Sequence, residues 1–141
     1  MSRKNRDMQS TYKGLDEDFS IPVHDESDIR PDLLVSFPYE YPSRPQTVRI
    51  QTEEFSALCP WTGLADLGRL QLEYVPGDKL LELKSLKYYL LTYRQVGVVQ
   101  EHAAARIFED LLSVLEPKAL KVILDYNVRG GLQTSVELNF P

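Results

Sequence analysis

Apolar and polar residues alternate from Thr47 to Thr52, the pattern of a strand with one face buried. Alternation returns from Leu67 to Val75, with Leu70, Leu72 and Tyr74 on one face. It appears twice more, from Leu120 to Val128 and from Leu132 to Phe140. Between the second and third strands the period changes. Leu80 to Arg94 holds strong helix formers with no Gly or Pro inside, and Gly97 lies just beyond it. Glu101 to Leu115 repeats Ile107, Leu111, Val114 and Leu115 at helical spacing, and Pro117 follows its end. The connections carry turn chemistry: Pro60 and Gly63 in a loop over residues 59–66, then Pro76, Gly77 and Asp78, then Arg129, Gly130 and Gly131 as a hairpin turn. Residues 36–45, with three prolines, read as irregular surface chain.

The predicted order is strand, strand, helix, helix, strand, strand. This is an α+β domain, a four-stranded antiparallel sheet with both helices on one face. The other sheet face would be uncovered, include apolar residues and end in unpaired edges. Such a sheet gains by assembling with copies of itself, so a homo-oligomer with sites between subunits is expected. Residues 1–30 are polar and without period, and read as a flexible tail before one domain over 31–141.

Composition narrows the classes. A chain of 141 residues, 43% hydrophobic and 26% charged, suits one soluble globular domain. No run of about 18 apolar residues is present, so no membrane span is expected, and the first residues lack the apolar stretch of a secretory signal. One cysteine makes no disulfide framework and fits a reducing cytoplasm. The net charge of −5 disfavours a nucleic-acid footprint, although Arg3, Lys4, Arg6 and Lys13 precede an acidic run from Asp16 to Asp28. A free nucleobase or nucleotide is compatible with that charge. His24 and His102 are far apart, so no zinc site of the usual nitrogen and sulfur kind is expected. Rossmann and P-loop glycine patterns are absent.

The chemistry-bearing residues are few. Cys59 follows a strand and precedes a proline, and Asp66 closes the same loop. A thiolate there could attack an electrophile while the acid supplies a proton, provided that the carboxyl is partly buried or near negative charge. Lys84 and Lys87 share a helix face, where they are either a solvated surface or a grip on an anionic ligand. Glu82 lies near the start of that helix and Glu101 at the start of the next. Glu101 could also accept two hydrogen bonds from a guanine-like edge.

Together, Cys59, Pro60, Trp61, Thr62, Gly63 and Asp66, followed by the octapeptide Glu82, Leu83, Lys84, Ser85, Leu86, Lys87, Tyr88 and Tyr89, resemble the short form of the 7-cyano-7-deazaguanine reductases, the QueF family. The resemblance extends from about Leu34 to Pro141 and includes Gly97, Glu101 and the Arg129–Gly130–Gly131 turn. It implies a tunnelling fold whose subunits form rings, and NADPH-dependent, four-electron reduction of a nitrile base on the pathway to queuosine in tRNA. It further implies that Cys59 forms a thioimide with the nitrile and that Asp66 is the proton donor. Glu101 would hold the base with Gln100 and the segment Leu81, Glu82 and Leu83, and Lys84, Lys87 and Arg129 would meet the cofactor phosphates. Two departures stand out: Gln100 replaces a family histidine, and Ala65 and Leu67 flank Asp66 in place of proline and phenylalanine.

Other readings use the same residues differently. An archaeosine-pathway amidinotransferase would form the thioimide on a tRNA-bound base and let ammonia attack it; it lacks the octapeptide. GTP cyclohydrolase I, a relative of similar fold, needs zinc ligands. A purine-binding oligomer without catalysis would not need Cys59.

Overall fold

In the computed structural model the described residues are Ser10, Lys13 and 21–141. Four strands form the main sheet, in the order β2-β3-β5-β6 with every neighbour antiparallel: β2 Val48–Leu58, β3 Ala65–Val75, β5 Ala119–Tyr126 and β6 Ser135–Phe140. Two helices, α1 Leu83–Leu91 and α2 Gln100–Leu115, lie between β3 and β5 in sequence. Leu70, Leu72 and Tyr74 of β3 and Leu120, Val122 and Leu124 of β5 form one buried cluster with Ile107, Leu111 and Leu115 of α2. Each such side chain contributes about 1.5–3 kcal/mol through burial.

The hydrophobic pattern is broken where it matters most. Thr52 pairs with Leu70, yet Phe55 pairs with Gly68, so β2 carries one extra residue in a β-bulge. Before the bulge Val48, Ile50 and Thr52 face the helices; after it Phe55 and Ala57 do. The phase change hides the second half of the strand from a period-2 reading, which ends it at Thr52. β2 runs six residues further, to Leu58.

Two short strands join the predicted set. β1 Ser36–Pro38, from the proline-rich stretch, pairs antiparallel with β4 Lys79–Leu81. The first helix therefore begins at Leu83, three residues later than expected. Leu80 and Leu81 are held in the β1 ladder, and the Glu82 carboxylate caps the helix by accepting from the backbone N–H of Lys84 and Ser85, at 2.9 and 2.6 Å. β5 and β6 are shorter than expected because the connection between them spans residues 127–134. Its tip is a two-residue turn: Arg129 and Leu132 exchange both backbone hydrogen bonds at 2.9 Å, with Gly130 and Gly131 at φ of 56° and 80°.

Of the expected tail, residues 21–30 pack on the domain. His24 exchanges backbone bonds with Gln95 and Gly97, at 2.7 and 2.8 Å, and Ile29 is buried. The remainder of that tail, apart from Ser10 and Lys13, lies outside the described residues. The uncovered sheet face includes apolar residues such as Leu67, as expected, and is crossed by the ion pairs Arg49–Glu73 at 2.9 Å and Arg69–Asp125 at 3.7 Å.

Gly68 faces the helices opposite Tyr126, and a Cβ there would lie 2.5 Å from the Asp125 carbonyl oxygen and 2.7 Å from the Tyr126 ring. Backbone cannot yield as a side-chain tip can. Gly68→Ala is therefore expected to cost about 1–3 kcal/mol, the range for overpacking a core, read as a lower midpoint in thermal or urea unfolding.

Candidate active site

The bulge decides where Cys59 points. Phe55 and Ala57 face the helices, so the next odd position, just beyond the strand, continues on that side. Asp66 is the second residue of β3 and pairs with Ala57, which puts its side chain on the same face. The loop between them closes on itself: Cys59 N–H donates to the Leu64 carbonyl and Gly63 N–H to the Cys59 carbonyl, both at 2.9 Å. Gly63, at φ 71°, makes the turn.

The neighbouring element is set by the strand end. Leu58 N–H donates to the Val96 carbonyl at 2.9 Å, and Val98 N–H donates to the Leu58 carbonyl at 3.1 Å. The chain leaving that contact enters α2 at once, so the first turn of the helix lies beside Cys59. Cys59, Asp66, Gln100, Glu101 and Arg129 line one cleft of about 250 Å3, with Trp61, Val99 and Thr134. Five side chains predicted from sequence thus converge.

Their environments differ. Cys59 is half-buried. The Thr62 hydroxyl, then the backbone N–H groups of Thr62 and Trp61, hold its thiol below the ordinary value of 9.0, against burial and the nearby Asp66 charge. Asp66 is 5% exposed, and its carboxylate accepts a hydrogen bond from the Arg129 guanidinium, whose side chain is half-exposed. Arg129 also lies 5.1 Å from the centre of the Tyr126 ring. Gln100 is buried, and its side-chain NH2 donates to the carbonyls of Leu124 and Thr134 at 2.9 and 2.8 Å. With both N–H groups spent, its carbonyl oxygen is unpaired among the described residues. Glu101, in the first turn of α2, is exposed at the cleft.

The other predicted residues lie elsewhere in the chain. Leu83 and Lys87 line a second cleft of about 250 Å3 between α1 and β2, walled by Ile50, Phe55, Leu86 and Leu90 and bordered by Arg94. Lys84 is exposed, its ammonium 5.7 Å from the Tyr88 ring centre. Glu82 is engaged as the helix cap, and the backbone N–H groups of Lys84 and Ser85 hold its carboxyl below the usual range. Leu81 is a core side chain, and its N–H donates to the Tyr74 hydroxyl at 3.0 Å. Arg129 lines the thiol cleft, paired with Asp66, while Lys87 lines the α1 cleft. Sequence reasoning placed Trp61 and Thr62 in the motif but gave neither a role; Trp61 is 82% exposed at the mouth, and Thr62 lies under the thiol. A lone Trp in a Gly/Pro loop was the available signal for the first.

Residues 65–140 match the family model described as QueF-like protein. A protein named NADPH-dependent 7-cyano-7-deazaguanine reductase from Caldicellulosiruptor bescii is 53% identical over 105 residues, covering 74% of this chain and 80% of the relative. The chain belongs to the QueF-like family. Relatives of the same name from Thermotoga petrophila and Chloroherpeton thalassium are 43% and 40% identical, over 85% and 79% of this chain and 85% and 97% of theirs. Among solved structures, the archaeosine synthase QueF-Like in the apo form superposes with a TM-score of 0.63 at 23% identity, over 68% of this chain and 94% of that one. That likeness supports the α+β architecture with antiparallel sheets.

This QueF-like cleft has the parts for addition to a polar multiple bond. It has a thiol held below its ordinary pKa, a buried carboxylate paired with Arg129, and an exposed carboxylate on Glu101. The α1 cleft offers apolar walls with cationic Lys87 and Arg94 beside them, which fits a flat ring attached to phosphates.

Proposed function

We propose that this protein reduces the nitrile of 7-cyano-7-deazaguanine to the aminomethyl group, in four electrons with NADPH as hydride source, within queuosine biosynthesis. One observation carries the reading: the Cys59 thiol and the Asp66 carboxyl face the same side of one hairpin, in a cleft that also holds Glu101. The names of relatives at 40–53% identity support the substrate and cofactor.

The residues divide the work. Glu101 accepts from the N1–H and exocyclic amine of the base, and Trp61 covers its flat face. Cys59 sulfur bonds to the nitrile carbon while one C≡N π bond breaks. Asp66 takes the thiol proton and passes it to the nitrogen, so the product is a neutral thioimide and no charge is stranded. Bound NADPH supplies two hydrides in succession, one per molecule. Between them the sulfur must leave to give an imine, and Asp66 again handles the proton at nitrogen.

Lys84 and Lys87 are proposed for the cofactor phosphates, with the octapeptide and the α1 cleft around them. Within one chain the thiol cleft and the α1 cleft have no lining residue in common. A tunnelling-fold assembly, with subunits side by side in a ring, would bring the α1 cleft of one copy against the thiol cleft of the next. Leu81, Glu82 and Leu83 would reach the base by the same route.

The test mixes purified protein with 7-cyano-7-deazaguanine and NADPH and follows the reduced-nicotinamide absorbance. Two cofactors consumed per amine formed is the expected stoichiometry. A covalent adduct that consumes no NADPH and turns over only with ammonia would replace reduction by amidine transfer.

A further inference from the structure

The segment ahead of the sheet, residues 21–29, reaches back to the nucleophile. We propose that Val23 is a positioning residue for Cys59: it clamps the loop over residues 59–63 in the closed shape from which the sulfur attacks. This deepens the proposed reduction and rests on that reading for the identity of the electrophile.

Val23 stands between two glycines. A Cβ at Gly63 would lie 3.3 Å from Val23 Cγ2 and 3.6 Å from the Ile21 Cβ. A Cβ at Gly97 would lie 2.5 Å from Val23 Cγ1 and 3.2 Å from the Pro60 Cα. One methyl therefore rests on the loop at Gly63, and the other fills the space that Gly97 leaves open beside Pro60. The segment that carries Val23 is itself fixed. His24 N–H donates to the Gln95 carbonyl at 2.7 Å, and Gly97 N–H donates to the His24 carbonyl at 2.8 Å, a parallel bridge to Val96. Leu58, the residue before Cys59, makes a second parallel bridge with Gly97. Residue 24, residues 96–97 and Leu58 thus lie side by side at the base of the loop. Ile29 anchors the far end of the segment in the core. Valine is stiff at χ1, so its two methyls hold their places at little further entropic cost.

The sulfur depends on the shape that this contact maintains. The Thr62 hydroxyl and the backbone N–H groups of Thr62 and Trp61 face the thiol only while the loop is closed through Cys59, Gly63 and Leu64. Gly63, at φ 71°, is the hinge of that closure, and a glycine by itself holds no single shape. A clamp from outside the loop supplies the missing constraint. Val23 is 42% exposed, so its burial adds little to the stability of the domain, yet its contacts fall on this loop. The charged groups lining the cleft, Asp66, Glu101 and Arg129, come from β3, α2 and the chain after β5, so their charges stay in place when Val23 is changed.

Two assays on the whole chain test the clamp in wild-type protein, Val23→Ala, Val23→Ile and Gly97→Ala. The pH dependence of iodoacetamide alkylation gives the Cys59 midpoint, and mass spectrometry follows the adduct with 7-cyano-7-deazaguanine in the absence of NADPH. Val23→Ala is expected to move the midpoint upward, toward the ordinary 9.0, because the donors no longer stay aimed at the sulfur. It slows the adduct by about 10- to 100-fold, the scale of a misplaced reacting group, with the unfolding midpoint almost unchanged. Val23→Ile keeps both branches and retains the wild-type values. Gly97→Ala pushes on the same methyl and produces the same pair of changes. Combined with Val23→Ala, which vacates the space for the new methyl, it recovers part of both. A wild-type alkylation midpoint in Val23→Ala would overturn the assignment, and so would a lowered unfolding temperature as that variant's only effect. If the wild-type protein forms no nitrile adduct while the alkylation midpoints separate as described, the nitrile reading fails and the clamp on Cys59 stands. Coincident midpoints sink the clamp whatever the nitrile does.

Discussion

Cys59→Ala is expected to leave the fold intact and to remove both adduct formation and NADPH consumption. The side chain is half-buried in a loop and lies outside the main core cluster, so a methyl group in its place opens little cavity. Loss of a covalent nucleophile is a different matter. Hydride addition to a free nitrile would have to replace addition to a thioimide, and turnover falls on the order of 10⁴-fold or more, the scale of removing a nucleophile. Binding of the base persists, because Glu101 and Trp61 are untouched; equilibrium titration with 7-cyano-7-deazaguanine checks that half. Retained turnover in the alanine variant would end the covalent mechanism. The thiol's activation has its own readout. Thr62 contributes the largest downward pull, so Cys59 in the wild type alkylates with a midpoint below 9.0, and Thr62→Val moves that midpoint upward.

How much of this was legible beforehand follows from which interactions are local. Cys59, Asp66, Gln100, Glu101 and Arg129 were all singled out from sequence, and the structure gathers them in one cleft. Their convergence could not be read, because it depends on the bulge between Thr52 and Phe55. A bulge inserts one residue without any composition signal, and it inverts every side chain that follows. With a regular β2, Cys59 would point to the uncovered face of the sheet. The expected first helix shows the same limit from the other side. Leu80 and Leu81 are good helix formers, yet pairing with Ser36–Pro38, more than forty residues earlier, overrides that preference. Only the Glu82 cap is a local mark of the true start. Arg129 is the instructive case. Two glycines announced the turn, but neither spacing nor composition told which charged group its arginine would meet. Ion pairs across 63 positions are a property of the fold.

Asp66→Asn is the second large effect, and its value lies in two readouts that move in opposite directions. Asparagine keeps the volume and can still hydrogen-bond, while Arg129, half-exposed, turns its charge to water, so the domain remains folded. The Asp66 charge raises the Cys59 thiol; it is the smallest of the contributions there, but its sign is definite. Removing that charge makes the thiolate slightly more abundant at neutral pH, and the alkylation midpoint of Cys59 moves down. Were thiolate supply limiting, adduct formation with 7-cyano-7-deazaguanine would quicken. The proposed mechanism requires the reverse. Sulfur attack puts negative charge on the nitrile nitrogen, and with no carboxyl to deliver a proton the addition stalls or reverts. Loss of a positioned acid–base group is worth about 10²–10⁴-fold, so adduct formation and NADPH turnover both fall by that order even as the sulfur becomes more reactive toward iodoacetamide. A variant that alkylates faster and also captures the nitrile faster would show that Asp66 restrains the thiol and transfers no proton. Faster alkylation with slower capture assigns the proton to Asp66, because no change in sulfur reactivity alone can produce both.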